Sequence, residues 1–292
     1  MSRFIHAVWI AFLCSTSVIA QTAKTSDMPE GVKIEKNLAY GDHERNKLDI
    51  YLPGKTDKAM PVVVWIHGGG WEAGSKENPP APNLLKQGYA VASINYRYSK
   101  QSPYPAQIED CKAAIRYLRG NAAKYNLDKD HIGCMGASAG GHLVALLGTT
   151  GDVKELEGKV GSYSKESSRV QAVCDWFGPS DLLKLVPSSA GAVNPVTRLM
   201  GGDMVEKKSL AETANPINYI TKDNAPFLIL HGEKDVLVPV NQSEMLNEAL
   251  KKGGVESELI VVPGAGHDGR IITTATAKKM SDFFAKHLKG SK

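Results

Sequence analysis

The sequence predicts an α/β fold: a mostly parallel central sheet with helices packed on both faces. Three observations carry this. Runs such as Met60–His67 (MPVVVWIH) and Tyr89–Tyr96 (YAVASINY) are continuously apolar and bounded by Pro or Gly, as strands buried on both faces are. Segments of amphipathic helical period alternate with such runs. Glycine-bearing turns that hold Ser, Asp or His follow several runs, at the strand ends where sheets of this class bind ligands.

The elements follow in order. Arg3, the apolar stretch Ala7–Leu13 and its continuation through Val18-Ile19-Ala20 precede any acidic residue, the first being Asp27. Residues 1–20 therefore read as a secretory signal peptide cleaved near Ala20, and the expected location is secreted or periplasmic. The apolar run is shorter than the ~20 residues that span a bilayer, so no stable membrane anchor is expected. Cys14 follows the bulky Phe12-Leu13 and belongs to the interior of the signal. Residues 21–31 read as a flexible leader and residues 32–292 as one domain.

Two antiparallel edge strands are expected at Lys33–Ala39 and Lys47–Leu52, closed by Pro53-Gly54. A short helix near Asn83–Gln87 lies between the two buried runs. A long helix is predicted over Ala106–Lys124, where Cys111, Ala114, Ile115, Leu118 and Ala122 form one apolar stripe. A strand at His131–Met135 runs straight into a helix over Ser138–Leu147. Further strands are expected at Val170–Phe177, Phe227–His231 and Glu258–Val262, with helices at Ser243–Lys252 and Thr274–Leu288. The last helix is expected to bury Met280, Phe283, Phe284 and Leu288.

Composition narrows the function classes. The net charge of +4 is spread thinly and no run of five basic residues occurs, which argues against nucleic acid or an anionic membrane as partner. Lys251-Lys252 and Lys278-Lys279 read as solvated helix faces. Beyond the signal, Cys111, Cys134 and Cys174 are too few and odd in number for a disulfide framework. Cys134 and Cys174 sit in apolar runs as small core residues, with one bridge among the three left open. No metal-ligand spacing is present, so no metal is expected. Asn241-Gln242-Ser243 matches a glycosylation acceptor, a short pattern relevant only to a eukaryotic host.

The chemistry concentrates in four turns. Gly136-Ala137-Ser138-Ala139-Gly140 is a G-x-S-x-G pentapeptide between an apolar strand and a helix. That context forces a sharp turn that exposes the serine Oγ, and glycines two residues either side relieve the crowding. His67-Gly68-Gly69-Gly70-Trp71 follows the first buried strand. Its glycines let backbone N–H groups point inward at a developing oxyanion, and Gly69 and Gly70, with Ala139 as third donor, are the candidates. Asp235, after the strand Phe227–His231, is preferred to the rival Glu233 because the following run Val236–Val240 is expected to bury its loop. His267 stands in Pro263-Gly264-Ala265-Gly266-His267-Asp268-Gly269, a tight loop that presents an imidazole. Among the other histidines, His67 and His231 are expected to brace their loops, His43 and His287 to lie at the surface, and His131 and His142 to sit in secondary structure. Trp71, Trp176 and Phe177 flank this region, as walls of an acyl or aromatic pocket or as plain core.

With HGGGW, GASAG, an Asp after a strand and a late-loop His, the chain resembles the α/β-hydrolase superfamily. It is most similar to the hormone-sensitive-lipase-like esterases and to the bacterial acetyl-xylan/feruloyl esterases. Lys47-Leu48-Asp49-Ile50-Tyr51-Leu52-Pro53, Asn95-Tyr96-Arg97-Tyr98 and Asp175-Trp176-Phe177-Gly178-Pro179-Ser180-Asp181 resemble the second group, and the likeness runs from about Tyr40 to Leu288. The resemblance implies a serine esterase with the triad Ser138, Asp235 and His267, an oxyanion hole from Gly69, Gly70 and Ala139, and no cofactor. Too few residues precede the first strand for a large N-terminal helical cap. Small lid segments near 149–169 and 182–214 are expected to roof the site instead, favouring short acyl groups or esters on a bulky polymer. The ester substrate, small or carried by an acylated polysaccharide, is the one partner implied. The alternatives are an arylformamidase, a peptidase of the prolyl-oligopeptidase type, for whose propeller the chain has no room, and a non-catalytic binding protein, which would be expected to lose a triad member.

Overall fold

The computed structural model describes residues 28–54, 56–185 and 194–290. The signal peptide expected at 1–20 lies outside the described residues, as does most of the leader. Strands β1 (Lys33–Ala39), β2 (Lys47–Leu52), β3 (Met60–Ile66), β4 (Ala90–Ile94), β5 (Leu127–Ala137), β6 (Ala172–Trp176), β7 (Phe227–Gly232) and β8 (Ser257–Val262) form one sheet. Its order is β1-β2-β4-β3-β5-β6-β7-β8. Pairing is parallel from β4 through β3 and β5 to β8, and antiparallel where β2 meets β1 and β4.

The period-2 alternation of a strand explains why β3 is apolar throughout. Val62, Val64 and Ile66 join one core, while Val63 and Trp65 join the other. The first core is closed by α2 (Ala106–Gly120), α4 (Ala139–Thr149) and α8 (Asn241–Lys252), through residues such as Ile108, Ile115, Leu143 and Leu246. The second is closed by α1 (Pro82–Lys86) and α9 (Thr274–Leu288), through Leu84, Leu85, Phe284 and Leu288. Met280 and Phe283 only half-bury on the flank of α9, short of the full burial expected of them.

The helix predicted over Ala106–Lys124 is broken. Asn121 leaves helical geometry at φ −105°, ψ 13°, its side chain donating to the Tyr117 carbonyl, and α3 (Ala122–Tyr125) follows as a separate turn. Strand β5 begins earlier than predicted, because Leu127 already pairs with Met60; the polar residues Asp128 to His131 bulge out before Ile132 resumes the pairing at Val62. Cys111, Cys134 and Cys174 are all buried as free thiols. Three short helices went unpredicted: α5 (Leu182–Leu185), α6 (Pro195–Met200) and α7 (Lys208–Thr213).

The segment Thr149–Arg169, expected to roof the site, does not. It leaves the far end of α4 and lies along α2, where Glu157 takes Lys112 Nζ at 2.7 Å and Arg116 Nη1 at 2.5 Å. Further on, Arg119 donates to the carbonyls of Ser167 and Arg169. The physical reason is charge: Lys112, Arg116 and Arg119 are buried on α2 and need acceptors, which this polar segment supplies.

Helix α4 crosses the carboxyl end of β3 at backbone contact. A Cβ on Gly140 would lie 2.7 Å from the His67 carbonyl oxygen and collide with that of Ile66, and one on Gly136 would lie 2.9 Å from Ile66 O. Both neighbours are main chain and cannot turn aside. Gly140→Ala is therefore expected to destabilise the fold by more than about 3 kcal/mol, read by urea unfolding.

Candidate active site

The chain runs from β3 outward to β4 and then resumes on the other side of β3 as β5, so a crevice opens between the carboxyl ends of β3 and β5. The turns singled out in the sequence all leave from that edge: His67–Trp71 from β3, Ser138 from β5, Asp235 from β7 and His267 from β8.

Ser138 has φ 56° and ψ −119°, a conformation costing about 1–3 kcal/mol for a residue with a Cβ. It is held there by its N–H to the Trp176 carbonyl (2.9 Å) and by the His142 N–H on its own carbonyl (2.9 Å). The side chain stays partly exposed. Strands β5 and β8 are three spacings apart, about 14 Å, so the His267 loop must lean back across β7 and β6. It does so by main-chain contact: Lys234 N–H donates to Ala265 O (2.8 Å), Glu233 N–H to Val262 O (3.0 Å), and Gly232 packs without a Cβ against Ala265 and Gly266. Glu233, the rival carboxylate, accepts from Gly264 N–H at 2.9 Å and braces this loop instead of meeting His267.

The result brings three predicted residues together. His267 Nε2 is 2.8 Å from Ser138 Oγ, and His267 Nδ1 is 2.6 Å from Asp235 Oδ2. An ionised carboxylate only accepts, so Nδ1 carries the proton and Nε2 offers a lone pair to the serine hydroxyl. Phe177, at the end of β6 with φ 44°, lays its ring 4.4 Å from that of His267. Of the three aromatics, Phe177 thus touches the site. Trp71 and Trp176 are buried in the core, Trp176 edge-on to Trp65.

The loop of Asp235 is not covered in the way expected. Val236 and Leu237 are 88% and 65% exposed, so the apolar run does not cover the loop. Asp235 is buried by a different device: its Oδ1 accepts from the N–H groups of Leu237 and Val238, both at 2.9 Å. Burial opposes its ionisation, but hydrogen bonds from His231 and His267 and the Val238 N–H prevail, holding the carboxyl well below the usual range.

The glycine turn faces Ser138. A Cβ on Gly68 would stand 3.3 Å from Ser138 Cβ, while Gly69 and Gly70 take φ 110° and 58°. Ala139 is the first residue of α4, where a backbone N–H has no partner within the helix. Side chains fix the turn from all sides. Tyr96 Oη donates to His67 O (3.0 Å), Trp71 Nε1 donates to His142 Nδ1 (3.2 Å), and Arg45 and Tyr98 both donate to Gly74 O. The buried pair Lys76–Asp49 (2.8 Å) pins its far end to β2. On the outer side α6 closes in, with Pro195 beside Gly70 and Arg198 Nη2 on Glu72 Oε1 at 2.8 Å. Thus α6, in the second expected lid segment, does border the site; residues 186–193 of that segment lie outside the described residues. Its start was legible: Asn194 caps Val196 and Thr197, and Pro195 occupies the first turn.

His67 and His142 are buried neutral bases, each pushed down to about 4 by burial. Asp175, buried on β6 with one oxygen on Gly178 N–H (2.9 Å), is pushed up to about 6, again by burial. Among the described residues, no group of three His, Cys, Asp or Glu stands close enough to hold a metal ion.

The BD-FAE family model matches residues 48–250. Esterase LipQ of Mycobacterium tuberculosis is 31% identical over 276 residues, which cover 89% of this chain and 62% of LipQ. Indeed, the chain spans only about half to three fifths of the length of the curated relatives it matches. Among solved structures, a truncated carbohydrate esterase from gut microbiota superposes with a TM-score of 0.84 at 38% identity, over 90% of this chain and 99% of that one. A bifunctional GH43-CE protein of Bacteroides eggerthii gives 0.81 at 42% identity, over 90% of this chain and 38% of that one.

The perturbed groups set a pH dependence. An unfolded histidine takes a proton near its ordinary value of about 6.5, while folded His67 and His142 resist until about 4. The unfolded state binds more protons in that window, so these two groups lower stability as pH falls through it, by up to about 3 kcal/mol each. Asp175 acts oppositely: its contribution is full below the ordinary carboxyl value and lost as pH rises through about 6. Asp175→Asn is therefore expected to be more stable than the parent at pH 8, by about 2–3 kcal/mol, with the difference vanishing near pH 4. Urea unfolding at the two pH values checks this.

Proposed function

The chain belongs to the BD-FAE family of α/β-hydrolase serine esterases, and from that premise we propose that it is a carboxylic ester hydrolase using Ser138, His267 and Asp235 as its triad. One observation carries this reading: the unbroken line of short contacts from Ser138 Oγ through His267 to Asp235 Oδ2, at 2.8 and 2.6 Å. In the proposed cycle His267 Nε2 takes the Ser138 proton as Oγ attacks the ester carbonyl. The carbonyl oxygen becomes an oxyanion facing the N–H groups of Gly69, Gly70 and Ala139, beside the positive end of α4. His267 then returns the proton to the departing alcohol oxygen. Water repeats the attack on the acyl-enzyme, its proton passing through His267, and the acid leaves. Asp235 holds the imidazole with Nδ1 protonated and stabilises the imidazolium of each step.

On the substrate side we propose a carbohydrate ester, with a short or aromatic acyl group such as acetyl or feruloyl on a plant polysaccharide. Support comes from the name of one solved relative, a carbohydrate esterase from gut microbiota, and from the partial exposure of Ser138, which lets a polymer-borne ester approach. Secretion to the periplasm or exterior belongs to the same proposal, since such a polymer is met outside the cytoplasm.

The test is acid release from 4-nitrophenyl acetate through decanoate, acetylated xylan and methyl ferulate, with Ser138→Ala as control and a phosphonate as active-site label. Ser138→Ala is expected to lose at least about 10³-fold in kcat, and the label to sit on Ser138. Full activity in Ser138→Ala overturns the triad. Turnover confined to the nitrophenyl esters, with none on xylan or ferulate, removes the polysaccharide substrate while leaving the esterase.

A further inference from the structure

A second imidazole shares the oxygen of Asp235 that meets His267. His231, near the carboxyl end of β7, is fully buried, and both ring nitrogens are engaged. Its Nε2 lies 2.8 Å from the Val238 carbonyl and 3.3 Å from Asp235 Oδ2; its Nδ1 lies 2.7 Å from Ser243 Oγ on α8. A carbonyl only accepts, so Nε2 must carry a proton; Val238 O is its nearer acceptor, and Asp235 Oδ2 stands 3.3 Å from the same nitrogen. The groups facing the ring are few: Asp235 and Val238 from its own loop, Ser243 from α8, Asp175 from β6, and the Phe177 ring at 6.3 Å.

We propose that His231 is a positioning residue of the triad, holding Asp235 Oδ2 in line with His267 through its Nε2–H. The inference rests on the triad reading given above. The other carboxylate oxygen is already fixed by the N–H groups of Leu237 and Val238. That leaves Oδ2 with two side-chain donors, His267 from the site side and His231 from the core side. Removing the inner donor does two things. The carboxylate is freer to turn about its last torsion, which loosens the imidazole that must meet Ser138. Its negative charge also falls more fully on His267, which favours the imidazolium and moves the base's titration upward. A residue that merely packs does neither.

Two substitutions separate these cases. The amide nitrogen of His231→Gln reaches the place of Nε2, while that of His231→Asn reaches only the place of Nδ1. Activity on 4-nitrophenyl acetate is measured against pH, with melting temperature alongside. His231→Asn is expected to lose about tenfold in kcat with KM little changed, and the acidic limb of its profile to move up by about half a pH unit. His231→Gln is expected to restore both. A parental limb in His231→Asn, at any melting temperature, overturns the inference, as does an equal displacement in both variants. Should His231→Asn not fold, NMR of the parent decides. The His231 Nε2–H resonance is expected to move as His267 titrates, and a resonance indifferent to His267 overturns the inference. The failures are distinct: activity that survives Ser138→Ala sinks the triad itself, whereas Ser138-dependent activity with an unmoved limb sinks only the role of His231.

Discussion

Everything at this site depends on main chain packing against main chain where β3, β5 and α4 meet. Ser138 is held at a backbone angle that a residue with a Cβ avoids, and it persists because Gly136 and Gly140 let the helix press onto the carbonyls of Ile66 and His67. The same contact sets the glycine turn beside the serine, since Gly68 has no room for a side chain between them. Nucleophile and backbone donors are thus positioned by one crossing of a helix over a strand end, and the strain is met by the close-packed sheet beneath.

Around that crossing the charges stand at the rim. Neutral His142 and the Tyr96 hydroxyl hold the inner side of the turn, while Arg45 and the pairs Lys76–Asp49 and Arg198–Glu72 hold its far and outer sides. The carboxylate at the far end of the proton path is kept ionised by donors from both loop and core. Asp175, a second buried carboxyl nearby, is pushed the other way, so burial and donors give two acids on neighbouring strands opposite tendencies.

Much of this was legible in the sequence. Strand runs such as VVVWI announced themselves by apolar continuity, and Ser138, Asp235 and His267 by turn chemistry at strand ends. What misled had identifiable causes. The reason for preferring Asp235 does not hold: the run after it was expected to bury its loop, yet Val236 and Leu237 face water because the turn spends its N–H groups on the carboxylate. The segment Thr149–Arg169 was read as a roof because pattern alone does not reveal that Lys112, Arg116 and Arg119 point outward from the sheet and call for acceptors. His231 read as a loop brace, which it is. Its reach to the second oxygen contact of Asp235 depends on three-dimensional register that no spacing shows.

The grip on Asp235 also has a consequence for how such a protein can vary. Both contacts to its Oδ1 come from peptide groups, and every amino acid except proline supplies one. The side chains of Val236 and Leu237 contribute nothing to that hold and stand in water beside it. These two positions therefore form an adjustable rim on an invariant frame. Their identity is open to drift or selection, to suit whatever surface meets the protein there, while the geometry of the acid beneath them stays unchanged.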